Sequence, residues 1–191
     1  MMGPSSDHSP PSSRGPQVSQ APSAPPFRQI FDQHSSYVCT VIRRFGVPER
    51  DVEDVAHDTF VVVHRRLGDY DPALPLRPWL FGIAYRVAIA HRRRVSNRAP
   101  VSEHVSDLPD SEPSVEQKLD AEAGRQLVLR ALEALEPERR AVFVLHEIDG
   151  VPIPQVAAAL EIVPNTAYSR LRVAREEFTA AVRRLKKGML Q

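Results

Sequence analysis

From Phe27 onward, apolar residues recur every third or fourth position, and each run is cut by glycine or proline before the next begins. That spacing puts them on one face of a helix and excludes the two-residue alternation of a half-buried strand. The first run is Phe27, Ile30, Phe31, His34, Tyr37, Val38, Val41, Ile42 and Phe45, stopped by Gly46 and Pro48. Val52, Val55, Ala56, Thr59, Phe60 and Val63 make the next. A proline-punctuated loop over 68–78 precedes a third helix over 79–94, where Trp79, Leu80, Ile83, Ala84, Val87 and His91 face inward. Periodicity returns at Leu119, and further helices are expected at 137–148, 153–160 and 165–185. The reading is all-α, with two small helical domains joined by a flexible acidic linker, the second containing a helix-turn-helix. The boundaries are a tail over 1–26, a first domain over 27–97, a linker over 98–118 and a second domain over 119–187. The tail holds seven prolines and seven serines with no apolar period, so it cannot bury enough surface to offset its ordering.

Charge is balanced overall, at a formal +1, but unevenly spread. Residues 85–98 hold five arginines and no carboxylate, and 164–187 hold seven basic residues against Glu176 and Glu177. The intervening 99–123 hold seven carboxylates and one lysine. Two basic segments flanking an acidic one suit two contacts on a polyanion joined by a connector. Cys39 is the only cysteine, which excludes an intrachain disulfide and a cysteine-rich metal site. His57 lies among Asp51, Glu53, Asp54 and Asp58, yet no second ligand cluster accompanies it, so neither catalysis nor a metal is expected; cofactors are expected to be none. No apolar run reaches the roughly 18 residues of a membrane span, and no signal peptide opens the chain. A cytoplasmic protein with no direct membrane insertion is expected.

The most informative segment runs from Val156 to Arg175. A short helix with a small-residue face leads through a turn into a longer helix after Pro164. Ala157 permits close helix crossing, and Ile162, Ala167, Leu171, Ala174 and Phe178 turn inward. Asn165, Thr166, Tyr168, Ser169, Arg170, Arg172 and Arg175 are left near the surface, where they suit base edges and phosphates in a major groove. An ordinary helix pair with a solvated basic face would share this pattern. In the first domain Trp79, Tyr85, Arg86, Arg92, Arg93 and Arg94 mix aromatic and basic groups, as surfaces that hold unpaired bases do; Trp79 also suits the core.

These segments resemble bacterial RNA polymerase sigma factors of the extracytoplasmic-function group of the sigma-70 family. The resemblance rests on Asp51-Val-Glu-Asp-Val-Ala-His-Asp-Thr-Phe60, Trp79-Leu-Phe-Gly-Ile-Ala84 with Arg92–Arg94, Leu135-Glu-Pro-Glu-Arg-Arg140, and Thr166-Ala-Tyr-Ser-Arg-Leu171. It implies a transcription initiation factor, not an enzyme, that binds core RNA polymerase and directs it to promoter DNA. Asp51, Glu53, Asp54, His57, Asp58 and Phe60 then occupy the polymerase-docking stretch. Trp79, Tyr85, Arg86 and Arg92–Arg94 stand at the −10 surface, and the helix opened by Asn165 at the −35 surface. An anti-sigma factor is a further implied partner. The chain departs from the family pattern in placing His57-Asp58 where Gln-Glu is usual. Arg86 also replaces an Asn, and Tyr168 a basic residue. A polymerase-independent helix-turn-helix regulator and a protein-binding helical adaptor remain the alternatives.

Overall fold

The computed structural model describes residues 24–97 and 115–189, and among them every regular element is helical. The tail over 1–23 and most of the acidic linker, 98–114, lie outside the described residues. Helix α1 spans Phe27–Arg44 and buries Ile30, Val38, Val41 and Ile42, the stripe that its three- and four-residue spacing lays down. Gly46 ends it with a φ of +72°, a conformation open to glycine at no steric cost. Helix α2, Glu49–Arg66, starts after Pro48 with Glu49 and Asp51 in its first turn, where carboxylates complement the helix dipole. Across the bend, the Arg43 guanidinium takes both oxygens of Glu49, one at 2.7 Å from Nε, and holds that carboxyl below its usual range.

A single 3-10 turn over Leu67–Asp69 leads towards helix α3, Leu76–Ser96, which begins three residues earlier than expected. Pro78 lies inside its first turn and not in the loop; there a missing N–H breaks no intrahelical bond, so proline fits. Helix α3 buries Leu80, Phe81, Gly82, Ile83, Ala84 and Ala88, a set that wraps around the helix and leaves little polar face near its start.

The second set of helices begins with α4, Val115–Glu133, followed by α5, Pro137–Phe143. The latter does not run on as regular α-helix to Ile148: it widens into a π turn over Val144–Ile148, with Asp149 N–H bonded back to Val144 O at 2.9 Å. Helices α6, Ile153–Leu160, and α7, Pro164–Met189, form the helix-turn-helix, and α4 and α5 pack along α7. Phe143 and Phe178 stack with centroids 4.6 Å apart. Ala123 of α4 and Ile148 of the π turn are exposed.

The two sets of helices are in contact. Helix α3 lies against α6, and Phe45, fully buried at the end of α1, touches the rings of Phe81 and Tyr85 while the Arg140 guanidinium of α5 sits 5.9 Å above it. Because Phe81 is enclosed on every side, Phe81→Ala should cost about 3–5 kcal/mol through lost transfer energy and the cavity left behind. Urea unfolding followed by far-ultraviolet circular dichroism reads this as a lowered midpoint.

Candidate functional site

Three surfaces emerge from the packing. On the first, α2 turns Val52, Val55, Ala56, Thr59 and Phe60 into the core, so the intervening positions Glu53, Asp54, His57 and Asp58 stand exposed in two successive turns. Asp51 is drawn aside: its carboxylate lies 3.3 Å from His91 Nε2 on α3. Asp58 is 3.9 Å from Arg94, an exposed pair. Phe60 is buried rather than offered to solvent, because the rings of Phe27 and Phe31 pack on it at 6.4 and 4.7 Å. Phe31 itself is 44% exposed, so its ring reaches solvent over the buried Phe60. Phe31 belongs by its spacing to the inward run of α1, yet its ring is only partly covered.

The second surface follows α3. Trp79 is half-buried and stacks on Tyr70 with centroids 5.1 Å apart, which ties it to the loop preceding the helix. Tyr85 is half-buried against Phe45, and that burial raises its hydroxyl above the ordinary tyrosine range, with Glu138 adding to the effect. Arg86 donates to the Gly82 carbonyl and pairs with Glu161 of the helix-turn-helix at 3.0 Å. The three consecutive arginines separate by role. Arg92 donates from Nη1 to the Phe45 carbonyl at 3.0 Å and lies alongside Gly46, so it closes the end of α1. Arg93 and Arg94 extend into solvent.

The third surface is the start of α7. The turn before it places Glu161 at φ 58°, ψ 44°, a left-handed position that glycine or asparagine usually fills and that costs other residues about 1–2 kcal/mol. Its backbone is fixed by the Ile162 N–H to Ala157 carbonyl bond at 2.9 Å. Ala167, Leu171 and Ala174 are buried, which leaves Asn165, Tyr168, Ser169, Arg172 and Arg175 exposed, with Tyr168 at 57%. Thr166 and Arg170 are partly covered, and Arg170 lies close enough to Tyr85 of α3 to act on its charge state. Arg172 pairs with Glu176 at 2.9 Å and Arg175 with Glu147 at 2.6 Å, both at exposed positions where such pairs exchange readily with other anions. Among the described residues no group of three His, Cys, Asp or Glu is arranged to hold a metal ion, and no helix is long and apolar enough to cross a membrane.

A helix with an exposed carboxylate row, a basic–aromatic helix and a helix-turn-helix are thus combined in one chain. Two family profiles match it, Sigma-70 region 2 over residues 30–98 and Sigma-70, region 4 over 125–178. RNA polymerase sigma factor CnrH of Cupriavidus metallidurans is 34% identical over 162 residues, which cover 81% of this chain and 85% of that protein. The chain is a sigma factor of the sigma-70 family, in the extracytoplasmic-function group. Another relative, ECF RNA polymerase sigma factor SigE of Mycolicibacterium smegmatis, is 29% identical over 157 residues, 80% of this chain and 60% of that protein. The structure of CnrH in complex with the cytosolic domain of CnrY aligns with a TM-score of 0.55 and 30% identity over 81% of this chain and 85% of that one. The sigma factor RpoE of Bartonella quintana, solved with the anti-sigma factor NepR, shares the fold at a TM-score of 0.66 and 18% identity, over 82% of this chain and 96% of that one. As a sigma factor the protein is a transcription initiation factor, directing RNA polymerase to specific promoters.

The different surroundings of the three arginines in this sigma factor have a measurable consequence. Arg92→Ala should lower stability by about 1–2 kcal/mol, since it removes a charged donor from the end of α1. Arg93→Ala and Arg94→Ala should each stay within about 0.5 kcal/mol of the unsubstituted chain. Urea midpoints of the three single variants compare them directly.

Proposed function

We propose that the three surfaces divide the work of initiation: α2 docks on core polymerase, α3 with its preceding loop holds the −10 element, and α7 reads the −35 element. The observation that carries this reading is their separation, since carboxylates crowd the exposed face of α2 while the basic residues gather on α3 and α7. The polymerase contact uses Glu53, Asp54, His57 and Asp58, with Phe31 and Phe60 as its apolar floor and Asp51 oriented by His91. Tyr85, Arg86, Arg93 and Arg94 contact opened DNA, Trp79 supports them from its stack on Tyr70, and Arg92 acts through the end of α1. Asn165, Thr166, Tyr168, Ser169 and Arg170 meet base edges, and Arg172 and Arg175 exchange their carboxylate partners for phosphates. The proposed domain limits are 27–97 and 119–187, joined by a linker over 98–118. The factor works in the cytoplasm and catalyses no reaction of its own, because RNA synthesis belongs to the polymerase. One structural relative was solved with the cytosolic domain of CnrY and another with the anti-sigma factor NepR, which supports an anti-sigma factor as a further partner here.

Run-off transcription with purified core enzyme on a set of candidate promoters tests the whole assignment. Specific initiation that depends on this chain is expected; tight promoter binding without any initiation would favour a polymerase-independent regulator. Asp54→Arg should weaken association with core polymerase about tenfold or more, because it puts a like charge where a basic partner surface meets a carboxylate row. Competition against the unsubstituted protein measures it, with helicity expected to be retained.

Arg170→Ala should reduce preference for the upstream element by about 1–3 kcal/mol, the worth of a good arginine–base contact. Replacing Arg93 and Arg94 together by alanine should instead reduce opening downstream with upstream preference unchanged. Footprinting and permanganate reactivity on one promoter report both regions, and a shift of upstream preference in the Arg93/Arg94 variant would contradict the division.

A further inference from the structure

Helix α1 carries a polar stripe beside its buried one. Gln33, Ser36, Tyr37, Thr40 and Arg44 recur at three- and four-residue steps and so share one face, as Ile30, Val38, Val41 and Ile42 share another. Solvent does not cover this stripe freely. Arg77, the second residue of α3, stands at one side, and Asp149, which follows the π turn, stands at the seam between the two sets of helices. Together they leave an open polar cleft of about 420 Å³, within the size range of small-molecule sites. Tyr37 donates its hydroxyl to one oxygen of Asp149 at 2.7 Å and Arg44 Nη1 donates to the other at 2.9 Å, so a carboxylate and a guanidinium offset each other there. Arg77 has no such partner: its guanidinium lies on the Tyr37 ring, 4.2 Å from the centroid, and no carboxylate among the described residues comes within ion-pair distance. Stacking uses the face of a guanidinium and leaves its N–H edge open to an oxyanion. Burial and the charge of Arg77 hold His34, which also lines the cleft, below the ordinary histidine range. With His34 neutral, the lining charges are Arg44, Arg77 and Asp149, so one positive charge stands unmatched.

We propose that this cleft is a binding site for a small free phosphate monoester, held by Arg77 and the hydroxyl face of α1. The unmatched guanidinium calls for an oxyanion. A planar carboxylate is satisfied by one arginine fork, whereas the three oxygens of a phosphate take the fork and further donors from another wall. Thr40 supplies such a donor, since its hydroxyl now bonds the Ser36 carbonyl at 2.9 Å and can turn its proton to a ligand instead. Asp149 sets the limit at the other end. Its carboxylate repels a second phosphate, so a nucleic-acid strand, with a charge on every unit, fits poorly there. A single phosphate whose neutral, hydroxyl-bearing end points at Asp149 meets a cation at one end and an acceptor at the other.

Isothermal titration of the full chain with glycerol 3-phosphate, at a fixed ionic strength of about 0.15 M, tests the site. One saturable event with a Kd of about 1 mM or tighter is expected, and glycerol alone should give none. Arg77→Gln should weaken binding about tenfold or more, and Thr40→Val about threefold. Both positions are exposed, so far-ultraviolet helicity should be kept in each variant. Arg28→Gln, an exposed arginine elsewhere on α1, should bind as the unsubstituted chain does. Amide signals that move on titration should cluster at 33–44 and around Arg77 in nitrogen-15 spectra. Absence of a saturable event would overturn the site, and so would binding that survives Arg77→Gln or falls equally in Arg28→Gln. A short mixed-sequence single DNA strand supplies the remaining arm. If it displaces glycerol 3-phosphate, and loses that ability with Arg77→Gln, the cleft belongs to the path of the DNA and the small-molecule assignment fails. None of these readouts depends on the promoter assignment, which the run-off assay tests separately.

Discussion

Helix α3 has to satisfy two sets of neighbours with one cylinder. Leu80, Phe81, Ile83, Ala84 and Ala88 complete the core with α1 and α2, while Gly82, Tyr85 and Arg86 face the helix-turn-helix. Close packing leaves no room for compromise between them: a methyl group at position 82 meets a carbonyl, not a void. The same helix provides the basic arginines and the stacked tryptophan, so an element that carries ligand-directed groups is also tied to α1, α2 and α6.

Periodicity made the helices legible in the sequence, because a stripe of Ile30, Val38, Val41 and Ile42 admits no other regular structure. The helix-turn-helix was legible for the same reason, together with the small residue at Ala157 and the proline that opens α7. Proline misled at Pro78, where its position within the first turn, and not its identity, decides whether a helix continues. The π turn after α5 left no signal, since widening a turn changes hydrogen bonding and not the residue types present.

Site residues divide along similar lines. Exposed carboxylates on α2 could be found by subtraction, once the buried stripe was known. The separate fate of Arg92 could not, because three identical side chains differ only in what stands opposite them, and the Phe45 carbonyl lies 47 residues away. The seam is less legible still: Tyr37 and Asp149 are 112 residues apart, and neither carries a local pattern that announces the other. Glu161 lies in the turn that precedes Pro164, and its positive φ has no local sign in the sequence, because that conformation usually belongs to glycine.

The π turn over Val144–Ile148 sets the bearing of the residue that follows it. Successive residues of an α-helix are about 100° apart around its axis, so a turn that takes in one extra residue swings everything beyond it to a new heading. Asp149, which ends that turn, is thereby aimed at Tyr37 and Arg44. Losing a single residue between Phe143 and Asp149 would redirect the carboxylate without altering any side chain it touches. Homologous chains of otherwise equal composition can therefore differ in whether their halves recognise each other through an indel too small to register as a change of fold.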